Sequence, residues 1–177
     1  MTDVSEFLSD PASLGEWRLV PDKSTVAVNV KSMWGLMPVK GRFTELSGEA
    51  QLTGGPTVFG RMVIKAASLR TGIGKRDRHL HSADFFEAER FPDITVEVNG
   101  LTATGADTVD LAAQLTVKDT TKPLPLTAQV AVFNDGTVRL TTKSLVDRQE
   151  FGVDGNLLGM IVDTAAISGD VVFRRVS

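Results

Sequence analysis

The chain contains no cysteine in its 177 residues, so disulfides, thiolate metal sites and cysteine nucleophiles are excluded. It has no tyrosine, two tryptophans and only two histidines, His79 and His81. Cationic residues are not in excess. The 19 Lys and Arg stand against 22 Asp and Glu, for a formal net charge of −3. Neutralising a phosphate backbone needs clustered cations, so no nucleic-acid partner is expected. The densest basic group is Lys75, Arg76 and Arg78, with Asp77 and Asp84 beside it, which reads as a solvated or locally paired cluster. No apolar stretch approaches the roughly 18 residues of a membrane-spanning helix. The start, MTDVSEFLSDPASLGEW, carries acids and no base, unlike a secretory signal, so a cytoplasmic location is expected.

What the chain does have is alternation. At 42% hydrophobic and 23% charged it has the composition of a folded domain large enough to bury a core. Residues 1–16 read as an N-terminal arm with a short helix near Glu6, and residues 17–177 as one β domain. Val26, Val28 and Val30 alternate with Ala27, Asn29 and Lys31, the period of a strand with one dry face. The same period returns in 43–53, 58–69, 94–98, 109–117, 124–132, 137–146 and 163–176. Asn134-Asp135-Gly136 marks a hairpin turn. With the strand opening at Trp17, about eight strands emerge.

Helical signals are rare. The best spans Ser82 to Arg90, with Ser82 as a cap and Pro92 as a stop, and Lys75–His81 could add a turn before it. A single mid-chain insertion excludes a doubly wound α/β fold and leaves an antiparallel sandwich or barrel. A barrel of about eight strands has room for one ligand.

Few motifs carry chemistry. Thr71-Gly72-Ile73-Gly74-Lys75-Arg76 resembles a phosphate loop, but Leu69 and Arg76 stand where that pattern needs a glycine and a Ser or Thr. His79 and His81, near Asp77 and Asp84, are chemically suited to a metal. On a helix, however, two residues at that spacing point apart, so neither metal nor cofactor is expected. Ser82 lies outside any G-x-S-x-G elbow, and no catalytic residue is assigned. Phe85, Phe86 and Phe91 crowd the insertion, and Met33, Trp34, Leu36 and Met37 form a second apolar group. Each suits either ordinary core or a hydrophobic entrance.

The segment SLRTGIGKRDRHLHSADFFEAERFPDITVEV, residues 68–98, resembles the central signature of the YceI-like family: S-L-x-T-G, K-R-D-x-H-L-x-S-x-D-F-F, then F-P before a strand. Flanking matches are Gly41-Arg42-Phe43, Leu115-Thr116-Val117 with Lys122-Pro123, and Arg148 to Gly152. Lys23 and Lys31-Ser32-Met33 stand where family histidines are frequent, and Asp119 where a hairpin glycine is usual. The resemblance implies a lipocalin-like antiparallel barrel around an elongated apolar tunnel that takes polyisoprenoids, isoprenoid quinones or fatty-acid-like lipids. Several members are periplasmic and dimeric, so a homodimer is among the expected partners.

The expected ligand is thus an apolar small molecule. Its candidate tunnel residues are Val26, Val28, Val30, Trp34, Phe43, Phe85, Phe86, Leu115, Val130 and Ile167. Within the signature, Arg76 is expected to pair with Asp77 or Asp84 and fasten the insertion. Two alternatives stay open: a small-barrel isomerase or hydrolase acting on an apolar substrate through His79 or Asp77, and a filled-barrel stress-response or interaction module without a ligand.

Overall fold

The computed structural model describes residues 3–32, 35–54, 57–155 and 161–176. Met33 and Trp34, including the tunnel candidate Trp34, lie outside the described residues. The strands are β1 (Gly15–Leu19), β2 (Thr25–Ser32), β3 (Met37–Phe43), β4 (Leu46–Leu52), β5 (Val58–Lys65), β6 (Leu69–Arg70), β7 (Asp93–Ala103), β8 (Thr108–Val117), β9 (Thr120–Pro123), β10 (Leu126–Val132), β11 (Val138–Asp147) and β12 (Thr164–Arg175). Among the described residues two short α-helices accompany them, α1 (Val4–Ser9) and α2 (Gly74–His81).

Twelve strands make eight staves of a closed antiparallel barrel. β1 continues into β2 across a turn at Pro21–Lys23, and β5 into β6 across Ala66–Ser68. β3 continues into β4, and β9 into β10 across Leu124 and Pro125. Proline fixes φ and removes a ladder donor, so two of these breaks fall where Pro21 and Pro125 stand. Closure comes from β12, which pairs with β2 through Ala165–Asp170 and with β1 through Phe173–Arg175. A closed barrel leaves no free sheet edge to aggregate.

The two ends differ. At the lower end, hairpins join β4 to β5, β7 to β8 and β10 to β11, and α1 folds underneath. Val4 is 2% exposed and its amide donates to the Ala106 carbonyl. Phe7 meets Trp17 edge-on at 5.6 Å, and the Trp17 indole N–H donates to the Ser13 carbonyl. With Leu52, Val58, Val109, Ala128, Val130 and Val138 these residues fill the lower half of the barrel.

The upper end carries α2, the segment 82–92 and residues 148–155 and 161–163. The helix here is not the one expected over 82–90. It ends at His81, and Ser82 is its C-terminal flank, with the Ser82 amide donating to the His79 carbonyl. Glu87 takes a left-handed φ of 48°, which a helix cannot contain. The chain instead folds back, and the amides of Phe86 and Ala88 donate to the carbonyls of Leu80 and His81. Those are the carbonyls a helix end leaves unsatisfied. The reversal drives Phe85 and Ala88 into the core, at 6% and 7% exposed.

Candidate functional site

The upper half of the barrel is hollow. Its cavity has a volume of about 770 Å3, walled by β2, β3, β5, β7, β8, β10, β11 and β12 and roofed by α2 and the segments 83–86 and 153–155. Alternation brings this about, since every second residue of each stave faces inward. On β2 the inward set is Val26, Val28 and Val30, and on β3 it is Val39, Gly41 and Phe43. At Gly41 a Cβ would stand 2.8 Å from Leu69 Cδ1 and 3.1 Å from Thr71 Cγ2, so a larger residue would require those side chains to shift. Met62, Ile64, Ile94 and Val96 continue the apolar wall, and Thr142 and Ser144 are its few hydroxyls on β11.

Of the tunnel candidates, Val26, Val28, Val30, Phe43, Phe85, Phe86, Leu115 and Ile167 line this cavity. Val130 does not. It points inward but lies one storey lower, packed at 8% exposure in the plugged half, because alternation fixes the face and not the height.

The roof is held by three polar arrangements. Asp77, 7% exposed, accepts the Thr71 amide at 2.9 Å and the Thr71 hydroxyl on the same Oδ1. These bonds, led by the hydroxyl and helped by the charges of Arg70 and His81, hold the carboxyl below its ordinary range against the opposing effect of burial. Arg76 donates to the Thr71 hydroxyl and carbonyl at 2.9 and 3.0 Å. The expected ion pair from Arg76 to Asp77 or Asp84 is therefore replaced by a relay in which Thr71 joins the cation to the buried anion. Asp84 pairs instead with His79, with Nε2 and Oδ2 2.8 Å apart. His79 also stands edge-on to Phe85 at 5.2 Å.

His81 turns the other way. Its Nε2 lies 3.0 Å from the Leu69 carbonyl, which can only accept, so that nitrogen carries the proton. The two histidines thus serve separate contacts, and among the described residues no three His, Asp or Glu converge as metal ligands. Asp77 is absent from the cavity lining, whereas His79, Arg76 and Asp84 stand at its roof.

Arg148 is the functional-site feature that residue patterns did not single out. It is 6% exposed and lines the cavity, yet its guanidinium donates to four carbonyls, those of Val162, Val153, Gly155 and Ile161. Burial lowers its pKa while Asp163, Asp154 and Asp147 raise it. It gathers residues 153–155 and 161–162 into the second half of the roof. The flanking R-x-x-F-G was the signal available in sequence. Lys118 ties the halves together, donating to the carbonyls of Phe85 and Gly152 at 3.1 and 3.0 Å.

A shallower hollow of about 560 Å3 lies on the outer face of β1, β4, β5 and β7. Glu16, Glu49, Arg61 and Glu97 line it, and Arg61 pairs with Glu97 across the strands at 3.7 Å. The interior cavity is the candidate site, because apolar concavity with a few convergent polar groups is what a ligand pocket requires.

Fold and cavity define a class: a lipocalin-like, eight-stave antiparallel barrel with an apolar chamber in one half. Within that class the chain belongs to the YceI-like family, whose domain it matches over residues 17–173. A UPF0312 protein of Azotobacter vinelandii is 36% identical over 66 residues, 37% of this chain and 34% of that protein. One from Pseudomonas putida is 35% identical over 65 residues. The chain thus matches about a third of the length of these curated relatives. Among solved structures, Burkholderia cenocepacia BcnA superposes with a TM-score of 0.79 at 21% identity, covering 87% of this chain and 98% of that one. A polyisoprenoid binding domain from Saccharophagus degradans gives 0.77 at 17%, covering 92% and 99%. At these identities the likeness is one of fold.

Proposed function

We propose that the protein binds a long apolar molecule, a polyisoprenoid, isoprenoid quinone or fatty-acid-like lipid, in the upper chamber and carries it without transforming it. The carrying observation is the chamber itself: about 770 Å3 of mainly aliphatic and aromatic wall that its own side chains leave unfilled. At roughly 30 Å3 per heavy-atom-sized group, that is space for a tail on the order of 25 carbons. Burial is worth ~0.8 kcal/mol per methylene, so about a dozen buried methylenes supply on the order of 10 kcal/mol before ordering costs. Such affinity needs a dry wall and no reacting residue. The head group would rest at the roof, where Arg76, His79 and Asp84 supply polar contacts. The named activity of the Saccharophagus degradans neighbour supports the same ligand class. The empty chamber weighs against a filled barrel, and the Thr71 bonds that occupy Asp77 weigh against its use as a base.

The test is native mass spectrometry of protein purified from its own host, followed by organic extraction. A stoichiometric apolar adduct, released on unfolding, is expected. Ile167→Trp, which places an indole in the chamber, should abolish the adduct while the barrel still melts cooperatively. A bare mass that takes up no added isoprenoid, quinone or fatty acid would sink the reading.

A further inference from the structure

We infer that the outer face of β2, β3 and β6, together with the apolar rim above it, is a docking surface for an anionic lipid bilayer. The inference stands on exterior residues and is independent of what the chamber holds.

Three observations carry it. The first is charge segregation. Between Thr25 and Phe43 the chain contains Lys31, Lys40 and Arg42 and no acid. Between Ala66 and Arg78 it contains Arg70, Lys75, Arg76 and Arg78, and its single acid, Asp77, is buried on Thr71. Because Val30, Val39, Gly41 and Leu69 line the chamber, their neighbours Lys31, Lys40, Arg42 and Arg70 stand on the outer face of three adjacent strands. Lys75 and Arg78 are exposed on α2. Among the described residues none of these cations has an ion-pair partner. Lower on the stave that continues into β6, by contrast, Arg61 pairs with Glu97 and Lys65 with Asp93.

The second observation is a cost. Arg42 and Arg70 are direct cross-strand partners. Like charges facing each other across a ladder are destabilising, and a carboxylate at either position would relieve them. A protein whose total charge is −3 nevertheless concentrates unpaired cations here, as an anionic partner requires.

The third is the rim. Leu36 is 80% exposed and Met37 56% exposed at the β2–β3 end of the barrel. β6 runs antiparallel to β3 and so leads toward that same end, where Ile73 is 52% exposed ahead of α2. Apolar side chains projecting beyond a belt of cations match a bilayer interface, with the former entering the head-group boundary and the latter meeting its anions. An acidic protein would satisfy the cations and leave this apolar rim without a partner. The β11–β12 end of the rim adjoins β2, where the Val162 amide donates to the Lys31 carbonyl, and carries exposed Asp147, Glu150, Asp154 and Asp163. That flank would be repelled, so the barrel docks tilted away from it with its β3–β6 edge toward the lipid.

The test is sedimentation of the full chain with vesicles of phosphatidylcholine alone and of phosphatidylcholine with about a quarter phosphatidylglycerol. Binding is expected to the anionic vesicles only and should weaken as salt is raised. Arg70→Glu and Lys40→Glu should each lower the partition coefficient about fivefold or more, and Leu36→Asp should lower it as well. Arg61→Glu, toward the lower end of the barrel and away from the rim, should leave it unchanged. Each variant should keep a cooperative melting transition and the wild-type far-UV spectrum, so lost binding cannot be read as lost folding. Equal binding to neutral vesicles, binding to neither, or full binding by Arg70→Glu with Lys40→Glu would overturn the inference. So would retention on a DNA duplex without retention on the anionic vesicles, which would assign the face to nucleic acid.

Discussion

Thr71 places both its amide and its hydroxyl on a single carboxylate oxygen of Asp77, and through its own hydroxyl and carbonyl it also holds Arg76. One threonine therefore seats the first turns of α2 over the chamber. Because these bonds lower the Asp77 pKa below its ordinary 3.8, the stability they contribute is complete above about pH 4 and is lost as pH falls through the lowered value. Asp77→Asn should cost about 2 kcal/mol at neutral pH, since charged hydrogen bonds become neutral ones. The gap from wild type should close in acid. Urea titrations across pH would show it, and a gap that stays constant down to the acid limb would exclude this role for the carboxylate.

Arg148 organises the other half of the roof by donating to four backbone carbonyls. Arg148→Met keeps the apolar stem but strips those carbonyls of their donor, at a cost of roughly 3 kcal/mol or more. Arg148→Lys should recover little, because a point donor cannot span a planar fork. Chemical denaturation measures both variants, and parity of the lysine variant with wild type would contradict the geometry.

Gly155 is where the two halves of the roof touch. A Cβ there would overlap the Asp84 carbonyl oxygen and approach the Phe85 ring to 2.8 Å. The obstructing atom is backbone, so Gly155→Ala should push the halves apart and speed hydrogen exchange at the Phe85 and Val153 amides. Ligand retention should fall with it. Unchanged exchange at both amides would show that the contact is not needed.

Gly169 lies at the chamber floor, and a Cβ there meets only Thr142 Cγ2, at an ordinary 3.6 Å. Gly169→Leu should therefore fit and shorten the chamber. Competition with a series of fatty acids of increasing length would then show the preferred chain shortened by several carbons, with little change in melting temperature. An unchanged length preference would mean that the tail does not reach the floor.

How much of this was legible in the residues follows from what each signal encodes. Alternation of period two encodes which face of a strand is dry, and so the inward sets of β2, β3, β8 and β12 could be read directly from Val26, Val28, Val30, Phe43, Leu115 and Ile167. Val130 obeys the same rule and lies elsewhere, since height along the barrel is set by register among staves and by what plugs the end. That plug is α1, whose Val4 and Phe7 come from outside the β pattern. The helix of the insertion forms over Gly74–His81, within the expected stretch 75–90 but not over 82–90, because a left-handed Glu87 depends on where Phe85 and Ala88 are buried.

The sequence by itself determined that the chain is a β protein with one mid-chain insertion, no thiol chemistry and the spaced signature of the YceI-like family. Those properties reside in composition, local period and fixed intervals. Only the tertiary structure decided that one half of the barrel is solid and the other hollow, that Thr71 and not Asp84 receives Arg76, and that Arg42 faces Arg70. Each of these is a pairing between residues distant in the chain or on neighbouring strands, and local patterning exerts no force on such a choice until closure of the sheet brings the staves into register.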